Sequence, residues 1–189
     1  MGGGGGHSLE SLGYALAMRF RCRPVGLDFI QGAAYRFENV VDLDAAPEAV
    51  FDIFADGESW PRWFEGIKRV VWTSPEPKGV GTTRTVTLTT MTVYEHFLAW
   101  ERGRRFAFRF VGSSLPLCRA GVEDYRLEDL GGGRTRFHYG VYLEPTLVVR
   151  LAGPIARAQF SSMFRKAAEG LKTYIASRHS LRSAQAASR

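Results

Sequence analysis

Three charged side chains fall on strand-like faces that are otherwise apolar. Arg84 lies in TTRTVTLTT, where Arg84, Val86 and Leu88 share one face and Thr83, Thr85, Thr87 and Thr89 the other. Glu95 lies in MTVYEHFLAWE, with Val93, Phe97 and Ala99 on its side. Glu123 shares a face with Tyr125 and Leu127, opposite Asp124, Arg126 and Glu128. Asn39 and Tyr139 are further polar groups on faces of the same kind. A carboxyl group held in an apolar cavity has a raised pKa and can serve as general acid or base. An arginine beside it can hold an enolate-like oxygen. Arg84, Glu95 and Tyr125 are therefore the candidates for orienting a substrate and moving a proton. The alternative is that Arg84, Glu95 and Glu123 pair with one another across neighbouring strands near the rim.

Other chemistry is not signalled. There is no G-x-S-x-G elbow, no P-loop and no dinucleotide fingerprint. His7, His96, His138 and His179 show no metal-ligand spacing, so neither metal nor cofactor is expected. Cys22 and Cys118 belong to no CxxC pair, which favours a reducing, cytoplasmic setting without disulfides. No run of eighteen apolar residues predicts a membrane span. The net charge of +6 is concentrated at one end: residues 150–189 carry eight Lys/Arg and one Glu, and the remainder is almost neutral. That placement suits a solvated helix face, or weak contact with an anionic membrane through the basic C-terminal face. No helix-turn-helix, RRM-like or zinc-finger signature is present, so nucleic acid is not an expected partner.

These residues need elements to hold them. Tyr35–Asp44 alternates as a first strand, and AAPEAVFDIFAD and SWPRWFEG follow as two short helices or a helix and a tight corner. Trp60, Trp63 and Phe64 crowd around Pro61, either capping a cavity mouth or serving as core rings. Six strands then follow in hairpin succession, joined by turns such as PEPKGVG, ERGRR and GGGR, and so run antiparallel. GSSLPLCRAG is expected as a loop or irregular edge. Phe106, Phe108 and Phe110 form a one-sided strand; Phe137, Tyr139, Val141 and Leu143 form another. Strand 91–101 is apolar on both faces, and periodicity leaves open which one points inward. From Pro154 to Arg178, Ile155, Phe160, Met163, Phe164, Ala167, Ala168, Leu171, Tyr174 and Ile175 recur at helical spacing. A seven-stranded sheet with one apolar face needs a cover, and only this helix is long enough. The expected organisation is a flexible N-terminal arm or leader over 1–34, one α+β domain over 35–178 and a basic disordered tail over 179–189.

In this order the pieces VDLDAAPEAVFDIFAD, ESWPRWFEGIKRV, PKGVGTTRTV, YEHFLAWERGRRFAFRF, YRLEDLGGGRTRFHYGVYLEP and SSMFRKAAEGLKTYIA resemble the helix-grip fold of the SRPBCC superfamily. That superfamily includes START-like lipid-transfer proteins and polyketide cyclase/dehydrase-like proteins. The resemblance implies a deep, mostly apolar cavity between sheet and C-terminal helix. Its expected lining is Trp60, Trp63, Phe64, Val86, Leu88, Phe97, Phe106, Phe108, Phe110, Tyr125, Tyr139, Phe160, Met163 and Phe164. The expected partner is a small hydrophobic molecule (lipid, isoprenoid, polyketide or aromatic), bound by a monomer or homodimer. The alternatives are an aromatase/cyclase-type enzyme, and a protein- or membrane-interaction module using the basic helix.

Overall fold

The computed structural model describes residues 20–187. β1 (Phe20–Arg21) and a single helical turn α1 (Phe29–Gly32) precede β2 (Tyr35–Leu43). α2 (Pro47–Ala55) and α3 (Trp60–Trp63) connect β2 to β3 (Ile67–Trp72). β4 (Thr83–Leu88), β5 (Thr92–Glu101), β6 (Arg105–Ser113), β7 (Cys118–Gly131) and β8 (Arg134–Pro145) follow. α4 (Leu147–Leu151) and the long α5 (Gly153–Ala187) close the chain. Each main strand pairs antiparallel with its neighbours in the order β2-β8-β7-β6-β5-β4-β3. The sheet therefore curves around a single interior, and α5 lies across it against β2 and α3.

Alternation decides the inner face of most strands. In β4, Arg84 and Val86 are buried while Thr83, Thr85 and Thr87 are half-exposed. Strand β5, ambiguous from its pattern, turns Val93, Glu95 and Phe97 inward. It then carries an extra residue opposite β6, between Phe97↔Phe108 and Ala99↔Ala107. This bulge reverses the parity, so the Trp100 ring joins Phe97, Phe106 and Phe51 on the inner side.

Residues 20–34, expected as part of a loose arm, are in place against the sheet. β6 and β7 pair only from Arg105↔Arg126 to Arg109↔Val122 and then separate. The chain near residue 22 occupies the gap. Phe20 pairs with Ser113, the Cys22 N–H donates to the Val111 carbonyl and the Arg23 N–H to the Arg119 carbonyl. Cys22 is thereby buried with its sulfur 3.8 Å from that of Cys118, both as free thiols. The segment expected as a loop before Val122 is already strand from Cys118, because β8 pairs with it as far as Pro145. Residues 1–19 of the expected arm lie outside the described residues.

α5 buries Phe164, Ala167, Ala168, Leu171 and Ile175. Ile155, expected on the same stripe, is 71% exposed. A 35-residue helix is about 52 Å long at 1.5 Å per residue, more than the sheet spans, so its ends overhang. Its backbone also runs on to Ala187, past Arg178, where the apolar stripe stops. The helix meets α3 at Gly170, where an added Cβ atom would overlap the Trp63 carbonyl oxygen. Only glycine permits that approach.

Candidate functional site

The interior divides into a sealed aromatic end and an open chamber. At the sealed end the Phe54 ring lies within 6.3 Å of five others: Trp60, Trp63, Phe106, Tyr125 and Phe137. The α2–α3 corner is tied by polar groups that the rings would otherwise strand. The Trp60 indole N–H donates to the Phe54 carbonyl at 3.0 Å, and the Ser59 hydroxyl donates to the Ile53 carbonyl at 2.7 Å.

Above this layer, β4, β5 and β7 each contribute an ionisable side chain. Arg84 and Glu95 are direct cross-strand partners, and the Arg84 Nε–H donates to Glu95 Oε2 at 2.5 Å. The pairing alternative is thus correct in partner but not in place, because both groups are buried deep inside, Arg84 at 1% exposure. The guanidinium sits between rings, its centre 4.2 Å from Trp60 and 4.6 Å from Phe108. Its Nη1 is buried without a hydrogen-bond partner.

Glu123 does not join that pair. It receives a hydrogen bond from the Tyr125 hydroxyl at 2.7 Å, two residues along the same strand face. Burial, and next the Glu95 charge, push the Glu123 carboxyl up to about 8. It therefore keeps its proton at neutral pH. Burial also raises Glu95 above its ordinary value, against the opposing pull of Arg84. Tyr125 and Tyr139 are both held well above the usual phenol range by burial first and the Glu123 charge second. The Tyr139 hydroxyl lies close enough to Glu123 to influence it electrostatically, yet makes no hydrogen bond of good geometry. The polar end of the chamber thus presents Arg84 Nη1, a buried donor without an acceptor, beside the carboxyl groups of Glu95 and Glu123.

The chamber itself is apolar. Trp60, Phe64, Val86, Leu88, Phe108, Phe110, Tyr125, Phe160, Met163 and Phe164, all expected there, line it together with Arg84, Glu95 and Glu123. Trp63, Phe97, Phe106 and Tyr139 do not line it; they form the packed layer behind. Asn39 shares the inner parity of β2 with Phe37 and Leu43 and stands opposite Tyr139, half-buried, but it does not line the chamber. Ile67, Met91, Val93, Leu117 and Leu143 complete the lining. Leu143 was legible from strand parity; Met91 and Val93 belong to strand 91–101, whose inward face periodicity left open, and Leu117 sits in a connection whose course no periodicity reveals. The space between atoms is about 560 Å3 including the open mouth, but only about 60 Å3 has room for the centre of a water molecule. The chamber is therefore a narrow slot, walled on its open side by the pliable side chains Met91, Met163 and Leu117.

Among the described residues, no three His, Cys, Asp or Glu side chains are grouped to hold a metal ion. No described helix is long and apolar enough to cross a membrane.

A family model described as polyketide cyclase / dehydrase and lipid transport matches residues 34–176. An uncharacterized protein of Mycobacterium tuberculosis is 43% identical over 142 residues, covering 75% of this chain and 81% of that protein. A START superfamily protein from Mycobacterium smegmatis superposes with a TM-score of 0.65 at 14% identity, over 75% of this chain and 97% of that one. The Zhui aromatase/cyclase from Streptomyces does so with a TM-score of 0.61 at 14% identity, over 79% and 95%. The structural likenesses show the helix-grip fold, while the family model covers most of the chain. This chain belongs to the SRPBCC superfamily, in its polyketide cyclase / dehydrase and lipid transport family.

Proposed function

We propose that the chain binds a small, largely apolar molecule with an acceptor oxygen at one end, a carbonyl or a carboxylate, and acts as its carrier. The observation that carries this reading is the unpartnered Arg84 Nη1 at the closed end of an apolar slot. A buried donor without a partner is costly, and a ligand oxygen would satisfy it. The apolar remainder of the ligand lies along Val86, Phe110 and Phe164, and entry displaces Met91, Met163 and Leu117. Family membership supports the hydrophobic class of ligand.

Native mass spectrometry of the purified chain, followed by extraction of co-purifying molecules, tests this. A stoichiometric apolar adduct with a terminal oxygen supports it. A clean mass, together with no uptake of fatty-acid or polycyclic ketone probes, overturns it.

Glu123 favours a second reading, an enzyme of aromatase/cyclase type. A carboxyl group that holds its proton at neutral pH beside an arginine is equipped to protonate an enolate oxygen that the arginine has stabilised. In that case Glu123→Gln abolishes turnover of a poly-β-carbonyl substrate while leaving its binding intact. Unchanged turnover in Glu123→Gln, or in Arg84→Ala/Glu95→Ala, removes the enzyme reading.

A further inference from the structure

Eight large apolar side chains are exposed among the described residues. Five of them, Leu115, Leu147, Val148, Leu151 and Ile155, belong to the loop after β6, α4 and the start of α5. α4 buries no residue at all. The loop is tied to the start of α4, since the Thr146 hydroxyl donates to the Pro116 carbonyl at 2.7 Å. The patch adjoins the open chamber, because Leu117 in that loop and Phe160 on α5 both line it. Between Pro145 and Ala168 the chain carries Arg150, Arg157, Arg165 and Lys166 and no Asp or Glu. An exposed apolar surface of this kind marks an interaction site, and the charges on α4 and the first turns of α5 are cations, with Lys166 further along pairing with Glu65.

We propose that this surface docks on an anionic lipid bilayer. Leu147, Val148, Leu151 and Ile155 enter the interface while Arg150 meets the headgroups, as in helices that lie in the membrane plane. The single sign of charge argues for this occupant over a second copy of the chain, whose isologous contact would set cations against cations. The proposal moves membrane contact away from the C-terminal basic face expected from the sequence. There, up to Arg178, no exposed large apolar side chain accompanies the cations among the described residues. Docking in this pose turns the open side of the chamber toward the lipid. It is independent of what the chamber holds.

The test is co-sedimentation of the full chain with phosphatidylcholine vesicles, with and without phosphatidylglycerol, at low and high salt. Binding is expected only with phosphatidylglycerol and should weaken with salt. Leu151→Ser/Ile155→Ser should reduce it about tenfold and Arg150→Gln about fivefold, whereas Arg178→Gln should change it less than about twofold. Unchanged circular dichroism and Tm in these exposed-site variants verify the fold. No binding to phosphatidylglycerol vesicles overturns the proposal. So does binding that is insensitive to Leu151→Ser/Ile155→Ser, or a dimer in sedimentation that this double variant dissociates, which would assign the surface to a second copy.

Discussion

The two ends of the interior share a sheet but not a construction. The sealed end is a lattice of rings from α2, α3 and β5–β8, centred on the fully buried Phe54, with the Trp60 indole and the Ser59 hydroxyl hydrogen-bonded. The open end is walled by half-exposed Met91, Leu117, Phe160 and Met163, and beyond it α4 buries nothing. Rings with two χ angles and fixed contacts hold Arg84 in place, whereas methionines with three rotatable bonds yield to a guest. One end supplies stability and positions charge; the other supplies access.

Mutations should separate the two ends by magnitude. Phe54→Ala should cost about 3–5 kcal/mol in urea unfolding, since the cavity it leaves cannot collapse among five fixed rings. Arg84→Ala should cost a similar ~3–5 kcal/mol by leaving Glu95 buried without its cation, whereas Arg84→Met/Glu95→Leu should recover most of that loss. Recovery failing in the double variant would mean that the cation's ring contacts matter more than its ion pair. Gly170→Ala should cost about 1–3 kcal/mol, because α5 must move off the Trp63 carbonyl. At the open end, Met163→Ala should cost only about 1 kcal/mol and speed the uptake of apolar probes. A Met163→Ala penalty equal to that of Phe54→Ala would erase the distinction.

The pH dependence of stability sharpens the comparison from the chemical side. The Glu123 carboxyl rises from 4.5 to about 8 on folding, so between those values the native state binds the additional proton. Its contribution is complete below about pH 4.5 and is lost as pH rises through 8. His96, held below its ordinary 6.5 chiefly by burial, acts in the opposite sense, its contribution rising with pH up to about 6.5. The difference between the parent chain and Glu123→Gln isolates the glutamate: the parent should lose stability relative to the variant from pH 5 to 8, and parallel curves would show that Glu123 ionises freely.

Much of the fold was legible because the hairpins are short and the parity is clean. Alternation put Arg84, Val86, Phe106, Phe108, Phe110 and Tyr125 on one side, and the closing helix announced itself by its stripe. Other features were hidden for physical reasons. Trp100 turns inward only because a bulge inserts one residue into β5, and a one-residue insertion leaves no trace in composition. Cys22 and Cys118 meet across ninety-six residues because the sheet splits between β6 and β7 and the N-terminal chain fills the split.

By itself, the sequence determined the inward faces of the strands other than 91–101, the antiparallel order and the need for a covering helix, since periods of two and 3.6 are local properties of the backbone. Tertiary structure alone decided that Arg84 faces Glu95, that Glu123 is left with its proton beside Tyr125, and that α4 stands uncovered. Those outcomes depend on register and on where a long helix overhangs a finite sheet, and neither is written in any single segment.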